Sequence, residues 1–313
     1  MINYLDGFAW IGGFHLALQQ AVWKENINCI WFSEIDKFAK KVYQDHFPDS
    51  PDLWDITQID IESLPDLDLV TGWFPCQDVS VAWRQSLDGW RTILVEYLLQ
   101  ILEKKKPKGF VFENVKWLLS EKFKEFRESV FERIREAGYY LHIQVLNTKD
   151  FWLPQNRERV FMVWYRMDWN TDWWYDFPEK QDLTNFLKEF INEEVDDKYY
   201  LSEEQIEKAK ETRKGRTFPS WKRNWDMILD RNDYWYSLAL TCSSFWKTSR
   251  QNNLVSDKKG LRLLTPSEYT RLQGFPDGWS SDIVSNSQVI KQMWNAVSVP
   301  VVKSIFDNLF IND

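Results

Sequence analysis

Over residues 1–166 short apolar runs alternate with longer amphipathic stretches, and this alternation limits the fold more than any single motif does. "INYL" leads into an amphipathic stretch over 13–24, "NCIWFS" into a helix over 36–46, "DLDLVT" into a helix around 91–103 and "GFVFE" into a charged helix near 120–136. "LHIQVLN" and "RVFMVWY" add two further strands. Strands alternating with helices imply a mostly parallel α/β sheet with helices on both faces. In such a sheet ligands belong at the carboxyl ends of the strands.

From about 168 to 258 the alternation dissolves into "DWNTDWWYDFPEKQD", charged helical material near 183–211 and a basic stretch ending at "SRQNNLVSDKKG". A second, smaller unit is expected there. Order returns over 262–309, where "TPSEYTRLQGF" starts as a helix capped by Thr265 or Ser267 and "VSVPVVKSIFDNLF" closes as an apolar helix. A chain of 313 residues with 44% hydrophobic content can bury the core this requires. No segment approaches the roughly 18 consecutive apolar residues of a membrane span. "MINYLDGFAW" shows no basic leader, so a cytoplasmic protein without a membrane partner is expected.

Cys29, Cys76 and Cys242 are far apart and form no CxxC pair, which suggests neither a disulfide framework nor a zinc site. No metal is expected, and any cysteine chemistry rests on one thiol. A net charge of −8 argues against a nucleic-acid partner taken alone. The distribution argues otherwise: between Lys208 and Arg250 there are ten Lys or Arg against four Asp or Glu, enough for a phosphate-facing patch or for a solvated surface.

Several short stretches carry chemistry. "DGFAWIGGF" runs from the first strand through a Gly-rich turn into a helix, where backbone N–H groups can face a nucleotide-like ligand. Glu34 and Asp36 follow at the end of the second strand, where a carboxylate can bind ribose hydroxyls, and Asp55 lies in a third strand-end loop. Cys76 follows Pro75 in another such loop, where a thiol is presented rather than packed, although a buried structural cysteine is the ordinary alternative. Glu113 and Asn114 end the "GFVFENV" strand, where the carboxylate is either desolvated and protonated or paired. In "LPQNRERVF", Arg157 and Arg159 share one face of an extended chain. A nicotinamide oxidoreductase is conceivable from the turn alone, but it leaves Cys76, Glu113 and the arginines without a role.

Taken in order, "DGFAWIGGF", "SEID", "DIT", "FPCQ", "FENV", "PQNRERVF", "LTPSEYTRLQGFP" and "NAVSVPVV" resemble the bacterial cytosine-5 DNA methyltransferases over about residues 1–166 and 261–309. The resemblance implies a Rossmann-like S-adenosylmethionine-dependent methyltransferase fold, with residues 1–167 and 261–313 as the catalytic domain and 168–260 as a target recognition domain. It implies Cys76 as the nucleophile at cytosine C6, Glu113 acting at N3, and Arg157 and Arg159 holding the base O2. For the cofactor, S-adenosylmethionine, it implies Phe8 to Gly12 (Phe8, Ala9, Trp10, Ile11, Gly12) and Pro75 near the methionine end. Glu34 would take the ribose, Ile35 would pack on adenine, Asp55 and Ile56 would read its amino group, and Asn295 would return to the same pocket. The expected partner is double-stranded DNA; whether a companion restriction endonuclease acts on the same site is left open by the sequence, and the chain is expected to be a monomer. One branch of the family acts on tRNA, but the long variable segment favours DNA.

The chain departs from that family in one repeated way. Tryptophan stands where the family has glycine at Trp10, Trp73, Trp152 and Trp294, and Trp31, Trp54, Trp83, Trp117 and Trp164 stand where relatives often have it. Composition agrees, with 19 tryptophans and 11 glycines, whereas an ordinary glycine share of about 7% would give about 22. A codon read as glycine in the source cell and as tryptophan here accounts for both. If the indoles are genuine, the chain is instead a catalytically impaired DNA-binding relative.

Overall fold

The structure, a computed structural model, describes residues 1–73, 92–168, 175–182, 186–213, 228–230, 237–240 and 253–310. The chain divides into two compact units, Met1–Leu146 with Glu158–Glu179 and Val301–Asp313, and Asn147–Arg157 with Lys180–Pro300.

The first unit is built on a six-stranded sheet. Strands β1 (Ile2–Gly7), β2 (Ile27–Ser33), β3 (Leu69–Trp73), β4 (Gly109–Val115), β5 (Tyr139–Asn147) and, later in the chain, the strand Glu158–Arg166 run in the spatial order β2-β1-β3-β4, Glu158–Arg166, β5. β1 pairs in parallel with β2 and β3, and β3 in parallel with β4, while Glu158–Arg166 pairs antiparallel with β4. The mostly parallel sheet expected from the alternating pattern is present. β1 and β3 approach so closely at Gly72 (φ 152°) that a Cβ there would stand 1.8 Å from the Gly7 carbonyl oxygen.

Helices α1 (Gly13–Ala21), α2 (Lys37–His46), α3 (Thr92–Lys105) and α4 (Lys124–Glu136) alternate with these strands. Two of these helices start at residues that the sequence singles out. Asp36 caps α2 by accepting from the backbone N–H of Phe38 and Ala39. Gly12, at φ 81°, turns the chain into α1, where a side chain would strike the Phe47 ring. Leu98, Ile101 and Leu102 of α3 join Leu5, Val70, Phe110, Phe112 and Trp164 in one buried apolar cluster.

The second unit contains the short strands β6 (Gln155–Asn156), β8 (Ile228–Asp230), β9 (Ser237–Leu238), β10 (Leu254–Asp257) and β11 (Gly260–Leu263); Glu158–Arg166 is β7 in chain order. β6 pairs with β9, and β10 with both β8 and β11. Its helices are α5 (Glu203–Arg213), α6 (Pro266–Leu272) and α7 (Asn286–Asn295); α8 (Val299–Leu309) closes the described chain. Compared with the expected segment 168–260, this unit also takes in residues 147–157 and 261–300 and leaves 168–179 with the first. A buried polar network is one reason. Arg262 reaches both Glu268 oxygens at 2.8 and 2.9 Å, and Asn192 N–H donates to Glu268 Oε1 at 2.8 Å. Thr265 caps α6 in a reciprocal box with Glu268, as the motif suggests. Among the described residues no helix is long and apolar enough to cross a membrane.

Candidate active site

The carboxyl ends of β1 and β2 meet at a carboxylate. Glu34 is buried, at 7% exposure. Its Oε2 accepts from the backbone N–H of Trp10 at 3.0 Å and its Oε1 from that of Asp36 at 2.7 Å, so one side chain ties the Gly-rich turn to the end of β2. Ala9 N–H donates to Ser33 O and Gly12 N–H to Ala9 O, each at 2.9 Å, which closes the turn. Burial pushes the Glu34 carboxyl up to about 7 against the stabilising N–H donors.

Beside it Ile35 is 56% exposed, an apolar side chain left in the open next to a buried acid. The segment after Pro51 runs along the end of β2, with Leu53 N–H donating to Phe32 O at 2.9 Å and Ser33 Oγ to Trp54 O at 3.2 Å. That brings Asp55 to the same strand end, where it caps the short helical turn Ile56–Gln58 by accepting from Thr57 N–H at 2.9 Å. The Ile56 side chain is buried in the core cluster. Phe8, Ala9, Trp10, Ile11, Gly12, Glu34, Ile35 and Asp55 are therefore gathered at one edge of the sheet.

On β4, Glu113 is 6% exposed. Of the two states the sequence left open, the structure shows the paired one: Arg159 Nε lies 3.0 Å from Glu113 Oε1. Asn114, also buried, turns its side chain to the backbone and accepts from Val115 N–H at 2.8 Å. Trp73, the last residue of β3, is opposite Glu113 in the strand register.

Arg157 and Arg159 do not share one strand. Arg157 falls between β6 and β7 and belongs to the second unit, while Arg159 is on β7 in the first. Arg157 is 2% exposed, and its guanidinium donates to Trp294 O at 3.0 Å and Ala296 O at 2.9 Å. These carbonyls bracket Asn295, whose side chain donates to Lys291 O at 3.2 Å. Two buried glutamines extend the network: Gln155 Nε2 donates to Gln273 Oε1 at 2.8 Å, and Gln273 Nε2 donates to Ala296 O. Pro75 and Cys76 lie outside the described residues.

Sequence reasoning missed Asp6, fully buried at the end of β1, where it accepts from Thr71 Oγ1 at 2.9 Å and where burial pushes its carboxyl up to about 8. It also missed the cluster in which His15 Nδ1 lies 2.8 Å from the Tyr43 hydroxyl and Cys29 Sγ 3.6 Å from the same oxygen. An acid inside an apolar strand was the available signal. Among the described residues no group of three or more His, Cys, Asp or Glu gathers as a metal site.

A Gly-rich turn closed on a strand-end carboxylate, within a mostly parallel sheet alternating with helices, makes this a Rossmann-like α/β fold. The model of the C-5 cytosine-specific DNA methylase family matches residues 2–310, and the chain belongs to that family, the DNA (cytosine-5-)-methyltransferases. Similar curated proteins include the Type II methyltransferases M.NlaX of Neisseria lactamica, 31% identical over 99% of this chain and 96% of that protein, and M.NgoBI of Neisseria gonorrhoeae, 34% identical over 97% and 92%. M.HhaI of Haemophilus parahaemolyticus is 31% identical over 98% and 94%. Among solved structures, S. pombe Dnmt2 methyltransferase matches with a TM-score of 0.79 at 20% identity, covering 100% of both chains. The Entamoeba histolytica methyltransferase EhMeth matches at 0.78 and 19%, over 100% and 98%. At such identities these two show the shared fold.

Proposed function

We propose that the chain transfers a methyl group from S-adenosylmethionine to C5 of a cytosine flipped out of a specific duplex sequence, as the modification enzyme of a type II restriction–modification system. The observation that carries the reading is the Glu113–Arg159 pair: an acid held 3.0 Å from a guanidinium at a strand end, in a chain of this family.

Cytosine C5 is a poor nucleophile. In this reading the Cys76 thiolate bonds to C6, electrons move into the ring, and Glu113 delivers or shares a proton at N3, so that C5 becomes an enamine carbon. After C5 has been methylated it loses its proton, and the bond to Cys76 breaks, restoring the aromatic ring and the free thiol. Arg159 keeps the Glu113 carboxyl oriented and screens its charge. The target base must leave the stack, at a cost of a few kcal/mol, and phosphate contacts from the basic 208–250 stretch offset part of that. Residues 168–260 would carry sequence recognition.

S-adenosylmethionine supplies the methyl group when bound. The residues present suit its nucleoside: Glu34 offers a carboxylate for ribose hydroxyls, exposed Ile35 a face for a purine, and Asp55 a polar edge beside it. Arg157 fixes the turn that presents Asn295. At the turn itself, Trp10 and Trp73 meet edge to face, with centroids 6.3 Å apart. For the chain as written this favours a second reading, a DNA-binding relative with impaired catalysis. Transfer of labelled methyl from S-adenosylmethionine to duplex DNA, with Cys76→Ser as control, separates the two. Transfer lost in the control supports the enzyme, and DNA binding without transfer supports the impaired relative.

A further inference from the structure

Among the described residues five that are not glycine have φ in the left-handed region: Phe8, Trp10, Trp54, Lys106 and Trp152. Two have ordinary explanations. Lys106 directly follows α3, where a left-handed residue commonly ends a helix. Phe8 packs its ring against the core cluster. The tryptophans, at φ 52°, 61° and 62°, have no such setting. This region crowds Cβ against the following carbonyl; a few per cent of non-glycine residues adopt it, chiefly Asn and Asp, and a bulky residue there is an outlier. Glycine takes it without steric cost.

Trp152 is 40% exposed and Trp54 55%. The Lys40 ammonium lies 3.4 Å from the centre of the Trp54 ring, but it already has Asp52 as its partner at 2.9 Å. Trp10 is buried, where its indole meets that of Trp73, and the Trp73 indole N–H is buried without an acceptor. A buried indole N–H ordinarily finds one.

We propose that positions 10, 54 and 152 are glycine in the working protein, that position 73 belongs with them, and that the Trp10 and Trp73 indoles stand in space left for a ligand. The ligand's identity rests on the proposed function; the glycine assignment does not. A single codon, read as glycine in the protein's own synthesis and as tryptophan in the sequence as written, places these residues together. It also moves the two counts, 19 and 11, in the directions observed.

The thermal midpoints of Trp→Gly and Trp→Ala variants test the backbone directly. At positions 10, 54 and 152 the glycine variant should melt several degrees above the alanine variant. Trp23, 79% exposed with φ −44°, and Trp279, 6% exposed and outside the left-handed region, serve as controls; there alanine should equal or exceed glycine. Alanine matching glycine at both 54 and 152 overturns the proposal. Mass spectrometry of the protein from its source cells reads the residues themselves, and tryptophan at 10, 54 and 152 likewise overturns it. Calorimetry with S-adenosylmethionine tests the space. The Trp10→Gly/Trp73→Gly variant should bind at least tenfold more tightly than the chain as written. No gain, with the glycine preference intact, overturns the assignment of that space to this ligand and leaves the backbone assignment standing.

Discussion

Arg159 Nε stands 3.0 Å from Glu113 Oε1, joining β7 to β4 where Glu113 is 6% exposed. A carboxylate so placed can neither drift toward solvent nor lose its orientation without breaking a charged contact. Such a pair suits a group that must meet one ring nitrogen in one direction.

Glu113→Gln keeps the shape of that side chain and removes its proton chemistry. The methyl-transfer kcat should fall by about 10²–10⁴-fold, with the thermal midpoint held within a few degrees. A kcat within about threefold of the parent would remove Glu113 from the reaction.

Arg159→Ala removes the charged contact that orients the buried Glu113 carboxyl, so stability as well as activity should fall, by about 1–3 kcal/mol in urea denaturation. Arg159→Lys should recover most of the stability and less of the activity, because an ammonium lacks the fixed geometry of a guanidinium. Equal recovery of both would make the pair purely structural.

Glu34 gives a pH dependence whose sign follows from its raised value. The folded state holds its proton up to about 7, whereas an ordinary carboxyl releases it near 4.5. Its contribution to stability is therefore full below the ordinary value and is lost as pH rises through about 7. An ionised carboxylate accepts ribose hydroxyls best, so affinity for S-adenosylmethionine should rise across that same pH step and Glu34→Gln should flatten it. Calorimetry in the glycine-bearing chain checks this, and a parent without that rise would exclude Glu34 from the cofactor.

Arg262 and Glu268 are both fully buried, and Asp257 Oδ2 lies 3.0 Å from Arg262 Nε. Removing Glu268 leaves the buried Arg262 charge with Asp257 alone to offset it and Asn192 N–H without that acceptor, so Glu268→Ala should cost about 1–3 kcal/mol by urea denaturation. An exposed pair such as Lys116–Glu158 should cost about 1 kcal/mol or less when broken. Similar losses at the two sites would contradict the burial argument.

The parallel strands were legible because strand-like stretches alternate with helical ones, and double-sided burial leaves apolar runs such as "FVF" in β4. The antiparallel direction of β7 was not, since "RVFMVWY" carries the same apolar signal either way round. Arg157 and Arg159 read as neighbours on one face; the break between β6 and β7 sends one to the α7 carbonyls and the other to Glu113. Gln155, Gln273 and Asp6 were overlooked because polar side chains are ordinarily exposed, and only the fold supplies the partners that let them be buried. The Gly-rich turn into α1 and the strand-end position of Glu34 were legible from the motif spacing; that Glu34 would be buried and accept from the Trp10 and Asp36 N–H groups was not.

The central claim is transient bonding between the Cys76 sulfur and the pyrimidine, assisted by Glu113. A duplex carrying 5-fluorocytosine tests it most directly, because fluorine cannot leave C5 as the proton does and the adduct persists. With S-adenosylmethionine present, the chain bearing glycine at 10, 54, 73 and 152 should form a denaturation-resistant complex mapped to Cys76, absent in Cys76→Ser. Methyl transfer to ordinary cytosine with no such complex, or a complex that survives in Cys76→Ser, would contradict the account.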